Sequence, residues 1–242
     1  MKKGIDHSLT YKKVSFRNLT HIRRLKQQIK LSRGLKKRHI ESYADFGCSN
    51  GFVTNEISII VSPSKTYGFD ITDNIYKASK AYPNYEFRTL DLNKPSGIKE
   101  LFDFITCFET LEHVGKIEEA IQNLLDAIKQ NGSILISVPI ETGLIGLIKY
   151  LIKRIFFKYK YPFKSLEIKY IYYLLFNKNI NSFRPKGCSS YGTHFGFDYR
   201  VIDTYLINNN QVIYHSFNHS TTRYYIINKK KFSSKEDKKT IK

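Results

Sequence analysis

The chain has 242 residues, 40 Lys or Arg against 21 Asp or Glu, a formal net charge of +19 and 41% hydrophobic residues, which suits one catalytic-sized α/β domain with extensions. Cys48, Cys107 and Cys188 are few, widely spaced and odd in number, so neither a disulfide framework nor a zinc site is indicated and a reducing cytoplasm is the expected setting. No uninterrupted apolar run approaches a membrane span and none follows the Met1-Lys2-Lys3 start, so neither a spanning helix nor a secretory leader is expected.

The charge is unevenly spread. Residues 1–40 hold thirteen bases against Asp6 alone, residues 41–142 eight bases and fifteen acids, residues 143–228 twelve and three, and residues 229–242 seven and two. An acidic centre between basic flanks points to an anionic partner for the flanks, whether anionic lipid, a phosphorylated substrate or nucleic acid, or else to solvated basic faces alone. In the first flank Leu19, Ile22, Leu25, Ile29 and Leu31 recur at near-helical spacing, with Arg23, Arg24, Lys26 and Lys30 on other faces. A basic amphipathic helix is expected there.

Tyr43-Ala44-Asp45-Phe46 then reads as a buried strand running into Gly47 and Gly51, and a helix start follows. Glycines let the backbone turn tightly and approach a ligand closely. A second strand, Lys65 to Phe69, ends in Asp70, nineteen residues after Gly51, where a doubly wound sheet places a carboxylate to grip ribose hydroxyls. Counting from Gly47, the dinucleotide fingerprint would need small residues at 49 and 52; Phe52 puts a bulky ring at the second, which argues against a nicotinamide cofactor.

The spacing of Asp45, Gly47, Ser49 and Gly51 instead resembles motif I of the class I S-adenosylmethionine-dependent methyltransferases, with Ser49 in place of the usual middle glycine. The resemblance extends to about Thr142 and is nearest to the ubiquinone-type and glycan-modifying group. It implies a Rossmann-like seven-stranded α/β sheet, mostly parallel with one antiparallel strand, helices on both faces and a helical insertion after strand five. It makes Asp70 the ribose ligand, followed by Ile71. Thr89-Leu90-Asp91-Leu92 closes a third strand with Asp91 beside the adenine, and Phe102 to Phe108 forms a fourth, leading into Glu109 and Leu111-Glu112-His113. A fifth strand runs from Ser133 to Val138 and halts at Pro139. The implied cofactor is S-adenosylmethionine, held by Asp45, Gly47, Ser49, Gly51, Asp70, Ile71, Asp91, Leu92 and Phe108. The chain divides into a basic helical extension (1–40) expected to pack over the cofactor site, the methyltransferase domain (41–228) with an insertion at about 143–190, and a Lys-rich tail (229–242).

In that insertion Leu144, Ile148, Leu151, Ile152 and Ile155 fall on one helical face with basic flanks, and a second aromatic stretch runs from Leu166 to Phe176. Either a lid packed on the domain or a helix at an anionic lipid interface at the inner membrane face fits this pattern. The loop Ser189 to Arg200, with His194, is expected to border the acceptor. Val212 to Phe217 and Arg223 to Ile227 read as the closing antiparallel pair.

Methyl transfer needs alignment of the acceptor and, for a hydroxyl, a base; no metal is called for. His113 and His194 are the candidate bases, with Glu109 as the carboxylate alternative, whereas His21 and the other histidines show no ligand spacing. The expected acceptor is small or lipid-linked, with a saccharide hydroxyl suggested by the resemblance of Pro139-Ile140-Glu141-Thr142-Gly143 to glycan-cluster enzymes. The rivals are an RNA methyltransferase, against which stands the absence of an Asn-Pro-Pro-Tyr-type clamp after strand four, and a non-catalytic cofactor-binding module docking an anionic partner.

Overall fold

The computed structural model describes residues 18–35, 39–156 and 166–230. The calls on residues 1–17, on the aromatic and basic run 157–165 and on most of the Lys-rich tail lie outside them. In chain order the elements are α1 (Leu19–Leu35), β1 (Ser42–Phe46), α2 (Phe52–Val61), β2 (Lys65–Asp70), α3 (Asn74–Ala81), β3 (Glu86–Thr89), β4 (Phe102–Phe108), α4 (Ile117–Ala127), β5 (Ile128–Pro139), α5 (Gly143–Phe156), α6 (Glu167–Leu175), α7 (Arg200–Asn208), β6 (Val212–His219) and β7 (Thr222–Lys229).

The strands form one sheet in the order β3-β2-β1-β4-β5-β7-β6. β1 to β5 run parallel, and β7 pairs antiparallel with both β5 and β6. The strand order reverses between β1 and β4, and such a switch point opens a crevice at the carboxyl ends of the two strands. β1 lies inside the sheet between β2 and β4 and is buried along its whole length, as a strand covered on both faces should be.

Side chains alternating along the strands feed two cores. Phe46, Phe69, Phe102 and Ile105 pack with Leu124 of α4 and Ile202 of α7, while Tyr43, Phe104 and Leu135 pack with Ile57 and Val61 of α2. Ile29, Leu31 and Leu35 of α1 lie against the second core. The fully buried positions of α1 are nevertheless Gln28 and Ser32, so its inward face is more polar than its apolar spacing predicts.

Several boundaries differ from the sequence reading, the closing pair among them, which extends to Val212–His219 and Thr222–Lys229. β3 stops at Thr89, leaving Asp91 in the turn beyond it, and β5 starts at Ile128, with an irregular pairing between Phe102 and Phe104 absorbing the extra residues. The insertion builds a small core of its own from Tyr150, Tyr170, Leu174, Ile180 and Phe183.

Candidate active site

After β1 the backbone N–H groups of Gly47 and Cys48 donate to the Phe69 carbonyl at 2.7 and 3.1 Å, which ties the turn to β2. Gly47, Ser49 and Gly51 take φ of 89°, 47° and 77°, left-handed conformations that favour glycine. A Cβ on Gly47 would sit 2.0 Å from Thr110 Oγ1. Ser49 tolerates its conformation because its N–H donates to Asp70 Oδ2 at 2.8 Å and its hydroxyl accepts from Asn74 Nδ2 at 3.1 Å.

Asp70 stands at the tip of β2. Its Oδ1 accepts from the N–H and hydroxyl of Thr72 at 2.8 and 2.7 Å, so the carboxylate is fixed in place while its remaining lone pairs stay available to ligand hydroxyls. It faces a cavity of about 390 Å³ whose walls include Gly47, Ser49, Ile71, Asp91, Leu92 and His113. Asp91 Oδ1 accepts from the N–H and side-chain amide of Asn93 at 3.0 and 2.7 Å.

Three of the nine residues assigned to the cofactor lie outside the lining of this cavity. Gly51 lies outside the cavity lining, at the start of α2, where a Cβ would press within 2.9 Å of Phe87. Phe108 and Asp45 line a neighbouring chamber. Asp45 is buried and accepts from Thr54 and Thr106 at 2.6 and 2.8 Å. Burial pushes its carboxyl up to about 6 against the pull of those two hydroxyls, through which it links α2 to β4.

That second chamber, of about 210 Å³, shares Gly47, Ser49, Glu109 and His113 with the first and is closed by His21, Arg24 and Gln28 of α1. His113 Nδ1 lies 2.8 Å from the Tyr191 carbonyl. A carbonyl only accepts, so Nδ1 carries the proton in this contact and a neutral ring keeps Nε2 as its basic atom. Glu109, in a left-handed backbone conformation at the end of β4, pairs with Arg24 and accepts from Ser137 Oγ at 3.1 Å. The ion pair occupies the carboxylate offered as the alternative base.

His194 stands 5.0 Å from His113, ring centre to ring centre, between two carboxyls. Its Nδ1 is 3.3 Å from Glu141 Oε1 and its Nε2 is 3.8 Å from Glu112 Oε1. Burial would raise Glu141, but the contact with His194 and the ammonium groups of Lys149 and Lys153 outweigh it and hold the carboxyl down at about 2. His194 and Glu141 also line a third pocket of about 250 Å³ with Tyr150 and Tyr170 of the insertion and Phe195 of the loop after it.

Glu112 is fully buried, and neither carboxyl oxygen has a hydrogen-bond partner among the described residues. Burial pushes it up to about 8, so it is a neutral acid in the fold below that pH while it ionises near 4.5 in the unfolded chain. The unfolded state therefore binds fewer protons between those values, and stability falls as pH rises from about 4.5 to about 8. Glu112→Gln keeps the shape and removes the titration. Measured with a chelator present, the variant's melting temperature should pull ahead of the wild type between pH 5 and pH 8 by roughly 5 °C or more, at about 2–4 °C per kcal/mol for a chain of this size. Parallel pH profiles for the two proteins would rule this out.

Glu112, His113 and His194 each bring one donor atom within 4.8 Å of the others, a set able to hold a metal ion. The spacing conceals it, because His194 follows some eighty residues later on another loop. Arg184 was also missed. It stacks over Tyr191, with its guanidinium carbon 3.7 Å from the ring centre, and donates to the carbonyls of Glu112 and Val114, fixing the backbone that carries His113. Arg24 and His21, read from the sequence as surface and incidental residues, instead line the second chamber.

A glycine turn at the switch point of a seven-stranded sheet, an acid at the tip of β2 and a chamber beside them form a crevice of the kind that takes nucleotide cofactors in doubly wound sheets. The chain belongs to the family of methyltransferase domains, which it matches over residues 17–202. The 235L protein of Invertebrate iridescent virus 6, named provisionally as a methyltransferase, is 29% identical over 137 residues, 53% of this chain and 51% of its own length. The ubiquinone biosynthesis O-methyltransferase of Rickettsia akari (strain Hartford) is 31% identical over 105 residues, 38% of each chain. The chain thus spans about half or less of the length of these curated relatives. Magnesium protoporphyrin IX methyltransferase from Synechocystis PCC 6803, solved with bound SAH, shares the fold at TM-score 0.54 and 15% identity, covering 90% of this chain and 89% of its own.

Proposed function

We propose that this domain transfers the methyl group of S-adenosylmethionine to a hydroxyl of a small or lipid-linked acceptor, a saccharide hydroxyl in the first instance, in a reducing cytoplasmic setting. One observation carries the reading: the cavity at the glycine turn adjoins, across Gly47 and His113, a chamber lined by three histidines, His21, His113 and His194, and two glutamates. Supporting the cofactor in the first cavity, Gly47 lets the turn pass Thr110 without a clash, and Asp70 and Asp91 give its lining carboxylate acceptors of the kind that ribose hydroxyls and an adenine amino group require. An O-methyltransferase and an SAH-bound enzyme among the similar proteins support it.

When bound, the cofactor supplies an electrophilic methyl on a sulfonium. The chain's part is to hold the acceptor oxygen in line and to take its proton. His113 is the residue for that proton, because the Tyr191 carbonyl holds Nδ1–H and leaves Nε2 as acceptor. Arg24 keeps Glu109 paired, and Glu141 orients His194 on the opposite wall.

The test is an acceptor screen read by release of S-adenosylhomocysteine. Turnover with saccharide or lipid-linked saccharide hydroxyls, and none with structured RNA, is expected. Turnover with RNA alone would replace the reading by its nucleic-acid rival.

A further inference from the structure

The insertion leaves rows of large apolar side chains exposed. In α5, Leu144, Ile148, Leu151, Ile152 and Ile155 recur at i, i+4, i+7, i+8 and i+11 and all are exposed, Ile155 by 67%, whereas the buried positions are Gly146 and Tyr150 on the opposite side. α6 repeats the arrangement. Ile168, Tyr172, Leu175 and Phe176 recur at i, i+4, i+7 and i+8 and are exposed, Ile168 by 84%, while Tyr170 and Leu174 are buried. With 3.6 residues per turn, each set forms one stripe along its helix. Two consecutive helices each turning an apolar stripe to solvent form a patch that an isolated soluble domain does not usually leave uncovered.

We propose that these outward faces of α5 and α6 form a docking surface for anionic lipid. Charge selects this occupant. The described residues of the insertion, 143–156 and 166–190, hold seven Lys or Arg and a single acid, Glu167; Lys149 and Lys153 face Glu141, Arg154 pairs with Glu167 and Arg184 stacks on Tyr191, while Lys169, Lys178 and Lys186 stand exposed. A second copy of the chain would bring two basic surfaces together. A nucleic acid would meet leucines and isoleucines where it needs cations. A bilayer with anionic headgroups offers an apolar interior for the stripes and negative charge for the bases beside them, the pattern of a helix lying in the interface plane. No described helix is long and apolar enough to cross a membrane, so the contact is peripheral. The inward faces of the same helices supply Gly146, Tyr150, Lys153 and Tyr170 to the pocket that shares His194 with the chamber. Docking rests on the insertion alone; that it would deliver a lipid-linked acceptor to this pocket rests on the reading in the preceding subsection.

Co-sedimentation with vesicles tests the surface. The protein should bind vesicles of equal phosphatidylglycerol and phosphatidylcholine, bind pure phosphatidylcholine at least about tenfold more weakly, and weaken on the anionic vesicles as salt is raised. Ile148→Glu, Ile155→Glu should lose about tenfold or more of that binding, while Ile59→Glu, an equally exposed apolar residue on α2, should leave it unchanged. Far-UV circular dichroism and S-adenosylhomocysteine affinity, both expected to match the wild type, report folding independently of lipid. Absence of binding to anionic vesicles, equal binding by the double variant, or a dimer in sedimentation velocity that the double variant dissolves would overturn the proposal. Because no methyl acceptor takes part, vesicle binding stands or falls separately from the acceptor screen.

Discussion

Replacement of His113 by Gln is expected to lower turnover about 10²- to 10⁴-fold on a hydroxyl acceptor, the usual contribution of a positioned general base. Gln keeps a donor for the Tyr191 carbonyl that now holds Nδ1, so the loop should stay in place and S-adenosylhomocysteine affinity should change little. A loss confined to kcat identifies a group acting on the reacting atoms, whereas a matching rise in KM would identify one that only positions the acceptor. His194→Gln is the paired experiment. Turnover within a few fold of wild type in both variants would discard a histidine base and leave transfer by alignment alone.

The second large effect is at Gly47. An Ala there places a Cβ 2.0 Å from Thr110 Oγ1 in a residue whose φ is 89°. The left-handed backbone costs a β-carbon on the order of 1–2 kcal/mol, and the clash must move Thr110, which stands at the start of the turn carrying Glu112 and His113. A fall in melting temperature of about 5–10 °C and a loss of cofactor affinity of at least about tenfold are expected. Differential scanning fluorimetry with and without S-adenosylhomocysteine reads both; an unchanged melting point together with an unchanged ligand shift would show that the turn needs no glycine at 47.

Much of this arrangement is written locally in the chain. Gly47 and Asp70 are recognisable from their own neighbourhoods, because a strand, a tight turn and an acid at the next strand's tip are set by short-range spacing. The closing pair β6 and β7 is legible for the same reason, through two β-rich runs separated by a short turn. Arg24 is not. Apolar periodicity assigns α1 an inward stripe of leucines and isoleucines, yet the end of α1 over the sheet's carboxyl edge meets Glu109 and Ser137, so Arg24 and Gln28 turn inward to satisfy them. Glu141 and His194 stand 53 residues apart and meet only because the insertion folds back on the domain. In α5 the apolar spacing reveals a stripe but not the side on which the protein lies, and it is Gly146 and Tyr150 that face inward. Asp91 falls beyond β3 because Asn93 bonds its carboxylate and turns the chain.

The central claim, that the cavity beside the glycine turn holds S-adenosylmethionine through Asp70, is tested most directly by calorimetric titration of the wild type and of Asp70→Ala. The account predicts one cofactor per chain for the wild type and a loss of about 1.5–3 kcal/mol in the variant, the worth of charge-assisted hydrogen bonds to a pair of ribose hydroxyls, or roughly ten- to a hundredfold in affinity. No heat of binding with the wild type, or the same affinity in both proteins, would contradict it.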